Sequence, residues 1–212
     1  MVDKNIEEAV KDILENSKKR NFLESVELAI NLKNVDMKNP KNRINEEIIL
    51  PKGRGKPIKI GVFATGELAV KAKKSADVVI SPEEIDKLAE NKKKSKKFVK
   101  KYNFFLAEAP LMPIIGKNLG IILGPRGKMP KPIPPNADPE PIINNLRKTV
   151  RARTKESKTF HVPIGTREMK AVDIAENAEA VLKKIITLLE RGKANIASVY
   201  IKTTMGHAVK IL

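Results

Sequence analysis

Ser198-Val-Tyr-Ile-Lys-Thr-Thr-Met-Gly206 places Val199 and Ile201 on one side of an extended chain and Ser198, Tyr200 and Lys202 on the other, the period of a half-buried strand. Thr203, Thr204 and Met205 follow, and Gly206 permits the chain to bend out of its sheet. Two hydroxyls, a thioether and a backbone that can be approached closely suit an RNA groove better than they suit a reaction. The same residues also fit an ordinary strand that ends in a glycine bulge. Other strands of the chain must decide, because a strand needs partners.

Working back from this stretch, 172–191 carries Ile174, Ala178, Val181, Leu182, Ile185, Leu188 and Leu189 at helical spacing, with Gly192 as its stop. Before it, Phe160, Val162 and Ile164 alternate with Thr159 and His161, which predicts a strand. The opposite end of the chain has matching parts. Residues 5–19 place Ile6, Ala9, Val10, Ile13 and Leu14 on one helical face. Residues 22–32 alternate from Phe22 to Leu32, and 43–50 form a second strand with Ile44, Ile48 and Leu50 inward. Neither end has enough strands to stand alone. Together they predict an α+β terminal domain, residues 1–56 and 152–212, with a four-stranded sheet and two helices. Phe22 either caps that core or stands free as a platform for a base.

Pro51-Lys-Gly-Arg-Gly-Lys-Pro57 breaks the pattern and predicts a linker. Residues 149–158 are basic, lack an apolar stripe and predict a second connector. Between them, apolar runs at 58–64, 77–80 and 104–107 are separated by helical stretches at 67–74, after the Ser81-Pro-Glu-Glu84 capping box, and at 113–119 and 138–148. Short buried strands alternating with helices imply a small parallel sheet with right-handed crossovers. Residues 57–151 are therefore expected to form an inserted α/β domain on two connectors, the covalent plan of a hinge.

The chemistry is bounded by composition. Among 212 residues, 42 are Lys or Arg and 25 are Asp or Glu, a formal charge of +17 that favours polyanions. No apolar run is long enough to span a bilayer, and Met-Val-Asp-Lys lacks the apolar core of a leader. With no Cys, disulfides and thiolate metal sites are excluded, and a reducing, cytoplasmic setting is expected. The turn Ala64-Thr-Gly-Glu-Leu-Ala69 has one Gly where a dinucleotide fingerprint needs three. Leu119 to Pro130 approaches a phosphate loop around Gly127-Lys128, but Ile122 and Met129 occupy its obligatory Gly and hydroxyl positions. What remains is a Gly- and Pro-ordered loop, 124–135, whose Arg126 and Lys128 either meet an RNA backbone or serve structure. The lysines of 92–101 point almost all round a helix, as on a solvated one. No elbow, phosphate loop or metal-ligand spacing supports an enzyme; no cofactor and no metal are expected. A general basic RNA chaperone without a discrete site is the alternative RNA-binding reading.

Leu123-Gly-Pro-Arg-Gly-Lys-Met-Pro130, Phe160-His-Val-Pro-Ile-Gly165 and Ser198-Val-Tyr-Ile-Lys-Thr-Thr-Met-Gly206, in this order, resemble the ribosomal protein L-one family, whose members sit on the mobile lateral stalk of the large ribosomal subunit. The resemblance covers essentially the whole chain, and its compactness is similar to the archaeal branch. It implies a terminal domain of split β-α-β type, made from both ends of the chain, that binds stalk rRNA, and an inserted Rossmann-like domain that binds no dinucleotide. It further implies contact with deacylated tRNA near its exit site, repression of the protein's own mRNA, and a monomer when free. Carried over by residue, the resemblance points to Thr203, Thr204, Met205 and Gly206, with Phe22, Ser25 and Ser198 beside them, and to Lys202 and His161 within the quoted motifs. Position 21 is Asn where relatives often have a basic residue.

Overall fold

The computed structural model describes residues 4–18 and 20–212. Positions 1–3, considered above for a leader, and Lys19, taken above as the end of the first helix, lie outside the described residues. The chain runs through α1 (Lys4–Asn16), β1 (Ser25–Leu32) and β2 (Asn45–Ile49). There follow β3 (Ile60–Phe63), α2 (Gly66–Lys73), β4 (Val78–Ile80), α3 (Pro82–Glu90), α4 (Lys92–Lys101), β5 (Phe104–Glu108), α5 (Met112–Leu123), β6 (Lys131–Ile133) and α6 (Pro139–Arg147). It ends with β7 (Thr149–Arg153), β8 (Thr159–Thr166), α7 (Ala171–Leu188), β9 (Ile196–Thr203) and β10 (Ala208–Lys210). The result is a mixed α/β structure with several sheets. It divides into two compact units, one of the residues up to Lys56 with Lys148–Leu212, the other of Pro57–Arg147.

In the terminal unit the sheet order is β10-β9-β1-β8, every pair antiparallel. Leu28, Ile30, Val162, Ile164, Val199 and Ile201 are fully buried, and α1 and α7 join them in one core. That face is apolar because alternation sends every second side chain to it. The opposite face keeps His161 and Thr159 exposed and Ser198, Tyr200 and Lys202 half-buried. One expectation is corrected. The strand at 43–50 is not a member of this sheet: β2 pairs with β7 in a separate two-stranded ladder. Its place as fourth strand is taken by β10, three residues long and too short to show as a period in the sequence.

The two stretches expected to be connectors are ordered. Residues 149–153 are β7 itself, whose Val150 and Ala152 are buried in the core. The Pro51–Pro57 stretch is pinned by Asn177, a fully buried residue on the apolar face of α7. Lys52 N–H donates to Asn177 Oδ1 (3.0 Å), and Asn177 Nδ2 donates to Gly53 O and Ile164 O, both at 2.8 Å. A polar side chain is tolerated there because both ends of its amide are satisfied.

The middle unit is a parallel sheet in the order β4-β3-β5-β6. Ile60 and Val62 of β3 enter one core with Leu68 and Ala72 of α2 and Ile143 and Leu146 of α6. Phe63 enters the other, with residues of α3, α4 and α5. At Gly61 a Cβ would lie 2.8 Å from the Phe105 ring, so the glycine makes room for an aromatic neighbour. The stretch 119–123, compared above with a phosphate loop, is the last part of α5. The expected loop 124–135 contains β6, an edge strand in which Pro132 is accommodated. Where the order reverses, between β3 and β5, Glu108 Oε2 accepts bonds from Thr65 N–H (3.0 Å) and Thr65 Oγ1 (2.6 Å) ahead of α2. An internal carboxylate thus occupies the position where open α/β sheets commonly receive an anionic ligand.

Asn177→Ala should destabilise the terminal unit by about 1–3 kcal/mol, since it leaves buried backbone groups without partners. Urea unfolding of the full chain measures this; an unchanged midpoint would show that water replaces the amide.

Candidate nucleic-acid interface

The Thr-Thr-Met-Gly stretch is a hairpin loop. Thr203 is the last residue of β9 and lies opposite Val26, and the chain returns as β10 with Ala208 opposite Lys202. It therefore does not leave its sheet at Gly206 as the pattern suggested. Inside the loop Gly206 N–H donates to Thr203 O (3.3 Å). The antiparallel pairing sets this loop against the start of β1. Thr204 N–H donates to Ser25 O (3.0 Å), Ser25 N–H donates to Thr204 Oγ1 (3.2 Å), and the Thr204 hydroxyl donates back to Ser25 O (3.2 Å).

The side chains of this corner divide into those presented and those that support. Thr204 is exposed, and Met205 keeps 61% of its surface accessible. An unbranched apolar side chain in water has no local stabilisation, which suits a surface that another molecule covers. Phe22, 54% exposed and ahead of β1, does not cap the core; of the two readings the free ring is the one seen. Thr203 is a correction among the candidate contacts: it is fully buried, because its odd position on β9 points inward with Val199 and Ile201. Its Oγ1 has no hydrogen-bond partner and lies where a Cβ on Gly206 would fall. Gly206 is thus demanded by space and not by a left-handed backbone.

Beneath the loop is a charged pair that the sequence reading missed. Glu24, 1% exposed, accepts the Met205 N–H on Oε1 (3.1 Å). Its Oε2 lies 3.5 Å from Arg167 Nη1, and Arg167 N–H donates to Glu24 O (3.1 Å). The same guanidinium donates to Ser17 O (2.6 Å) and Lys18 O (2.7 Å), carbonyls just past α1. Burying a carboxylate is unfavourable unless a cation and hydrogen bonds compensate it. Here the compensation ties α1, the β8–α7 turn and the Met205 amide into one rigid support. Nothing in a single sequence marks Glu24, one acidic residue beside an alternating run.

The remaining candidates lie elsewhere. Asn31 Nδ2 donates to Ser198 Oγ (2.8 Å), and the Thr159 hydroxyl donates to Asn31 Oδ1 (2.7 Å), a polar row across three strands. Ser198 is five residues along β9 from Thr203, roughly 17 Å at strand rise. His161 lies opposite Ala29, which lies opposite Tyr200, on the same open face. Lys202 faces that side beside Glu27. Arg126 and Lys128 belong to the middle unit and have structural bonds. Arg126 Nη1 donates to Lys96 O (2.9 Å), and Lys128 Nζ donates to Val99 O (2.9 Å) and to Tyr102 O at the end of α4. Burial first, and the Arg126 charge second, hold the Lys128 ammonium below the usual lysine range. Among the described residues no group of His, Asp or Glu could hold a metal ion, and no helix is long and apolar enough to cross a membrane.

Two substitutions test this support. Glu24→Leu should accelerate hydrogen exchange at the Met205 amide, whereas Glu24→Gln, which keeps an acceptor oxygen, should largely preserve protection; equal exchange in both would remove the carboxylate from the loop's support. Gly206→Ala should lower the unfolding free energy by about 1–3 kcal/mol through overpacking. Adding Thr203→Ala, which removes the colliding hydroxyl, should recover most of that loss in the same melts.

The sequence profile of the ribosomal protein L1p/L10e family matches residues 13–207. Among similar proteins, the large ribosomal subunit protein uL1 of Thermoplasma acidophilum is 58% identical over 97% of this chain and 95% of its own length. The proteins of the same description from Archaeoglobus fulgidus, at 55% over 99% and 96%, and Methanocella arvoryzae, at 54% over the whole of both, are similarly related. Three motifs, an exposed Thr-Met-Gly corner and near-complete coverage converge: the chain belongs to the ribosomal protein L1p/L10e family and is not an enzyme.

Proposed function

We propose that this chain is a protein of the large ribosomal subunit that grips the stalk region of large-subunit rRNA with the Thr204-Met205-Gly206 corner of its terminal unit. The observation that carries the reading is the combination at that corner. Met205 and Thr204 face solvent while the backbone beneath them is fixed by Glu24. A contact surface organised before its ligand arrives loses little ordering entropy on binding. Ser25 and Thr204 offer hydroxyls to 2′-hydroxyls or base edges, Met205 packs on a sugar or base face, and Gly206 lets the loop close over the buried Thr203 hydroxyl. The net charge supplies attraction without reading sequence.

The finer reading gives the terminal residues, 1–56 and 152–212, the role of a discontinuous RNA-binding domain, with 57–151 as an inserted α/β domain. On a cytoplasmic ribosome such a stalk protein assists release of deacylated tRNA from the exit site. It also represses its own mRNA wherever the message folds into an imitation of the ribosomal site, since the corner would meet the same backbone shape.

Thr204→Ala and Met205→Ala should each weaken binding of a stalk rRNA fragment by about 1–3 kcal/mol while the fold is retained. Filter-binding titrations at fixed salt give the answer; wild-type affinity in both variants would remove the corner from the site.

A further inference from the structure

We propose that Lys56, at the end of the stretch leading into the middle unit, is a phosphate ligand of the RNA site, so that this stretch is part of the interface. The inference rests on the RNA-binding reading above. Lys56 Nζ donates to Leu23 O (2.7 Å) and to Ser25 Oγ (2.9 Å). An ammonium has three protons, and these two bonds leave one. Both acceptors are neutral, and among the described residues no carboxylate forms an ion pair with Lys56. The contrast within the same stretch is Lys52, whose Nζ lies 3.6 Å from Asp173 Oδ1 and 3.5 Å from Glu176 Oε2. One lysine is charge-compensated by the protein, whereas the other is half-buried at the corner with its charge open.

The backbone delivers Lys56 to that place. Gly53 and Gly55 both have left-handed φ, +69° and +74°, which only glycine adopts freely. A Cβ at Gly55 would lie 2.5 Å from Thr166 Oγ1 and 2.7 Å from Met169 Sδ, so the stretch is seated closely on the β8–α7 turn. With Asn177 holding Lys52 and Gly53, the lysine is positioned before any ligand arrives. Its bond also determines the role of Ser25. Because Ser25 Oγ accepts from Lys56, its own proton is directed elsewhere, toward a bound phosphate or 2′-hydroxyl oxygen. Lys56, Ser25 and Thr204 thereby form a continuous polar row, cationic at one end, in which the serine is a donor. A phosphate oxygen is the chemistry that completes it.

The test is salt dependence with the full chain and a stalk rRNA fragment. Lys56→Gln should lower the slope of log affinity against log salt by about one and weaken binding roughly tenfold at 0.1 M salt, with the difference vanishing near 1 M. Lys56→Arg should keep the wild-type slope, and so should Lys52→Gln, since that charge is already compensated. RNA should also slow amide exchange at Gly53–Lys56 in the wild type and not in Lys56→Gln, a readout that general loss of stability would not produce; thermal melts identify any variant that is unfolded. If Lys56→Gln matches Lys52→Gln in slope and affinity while Met205→Ala binds weakly, the proposal is overturned and the corner reading survives. If Lys56→Gln is unfolded, Lys56→Arg decides: a wild-type slope with retained exchange protection supports the proposal, and loss of that protection overturns it. If wild type does not prefer the stalk fragment to unrelated RNA, the underlying reading fails first.

Discussion

Ser25 and Thr204 stand 179 residues apart in sequence and share a reciprocal set of backbone and hydroxyl bonds. Everything at the candidate interface depends on that antiparallel closure of β9 on β1. It places the loop after β9 beside the start of β1, so residues from both ends of the chain meet at one corner. Long-range pairing of this kind is entropically demanding and is tolerated because the strands bury an apolar face against α1 and α7. The corner is therefore a consequence of the core and has no independent existence.

Rigidity at the corner is obtained with charge in an unusual place. A loop that must present Met205 outward has little apolar surface with which to hold itself. Glu24 and Arg167 supply the hold from within, using hydrogen bonds to backbone groups that would otherwise be unsatisfied. The same logic recurs where Asn177 fastens the stretch beyond β2, and where Lys128 and Arg126 donate to carbonyls of α4 and its end. In each case a polar side chain ties one stretch of chain to the backbone of another. A strongly basic chain thus commits part of its charge to structure, and the number of cations overstates how many are free for a polyanion.

The middle unit shows that fold and ligand are separate questions. Its parallel sheet reverses order between β3 and β5, where many α/β proteins bind nucleotides. Thr65 and Glu108 bond to each other there, leaving a negative charge ahead of α2. An architecture associated with phosphate binding is accordingly closed by its own carboxylate.

The sequence by itself determined the main periodic elements: α1, α7 and the inward faces of β1, β8 and β9 follow from spacing alone, because burial of one face imposes a period. It also marked Thr204, Met205 and Gly206 as a group, since an apolar side chain between small residues at a strand's end is legible without neighbours. Only the tertiary structure decided that β2 pairs with β7, that β10 completes the sheet, and that the loop after Thr203 turns Met205 outward. It alone revealed Glu24, Arg167 and Lys56, whose roles rest on partners distant in the chain. Local pattern records which face is apolar; it holds no information on which distant polar atoms will satisfy one another, and the positions of Met205 and Ser25 are set by those bonds.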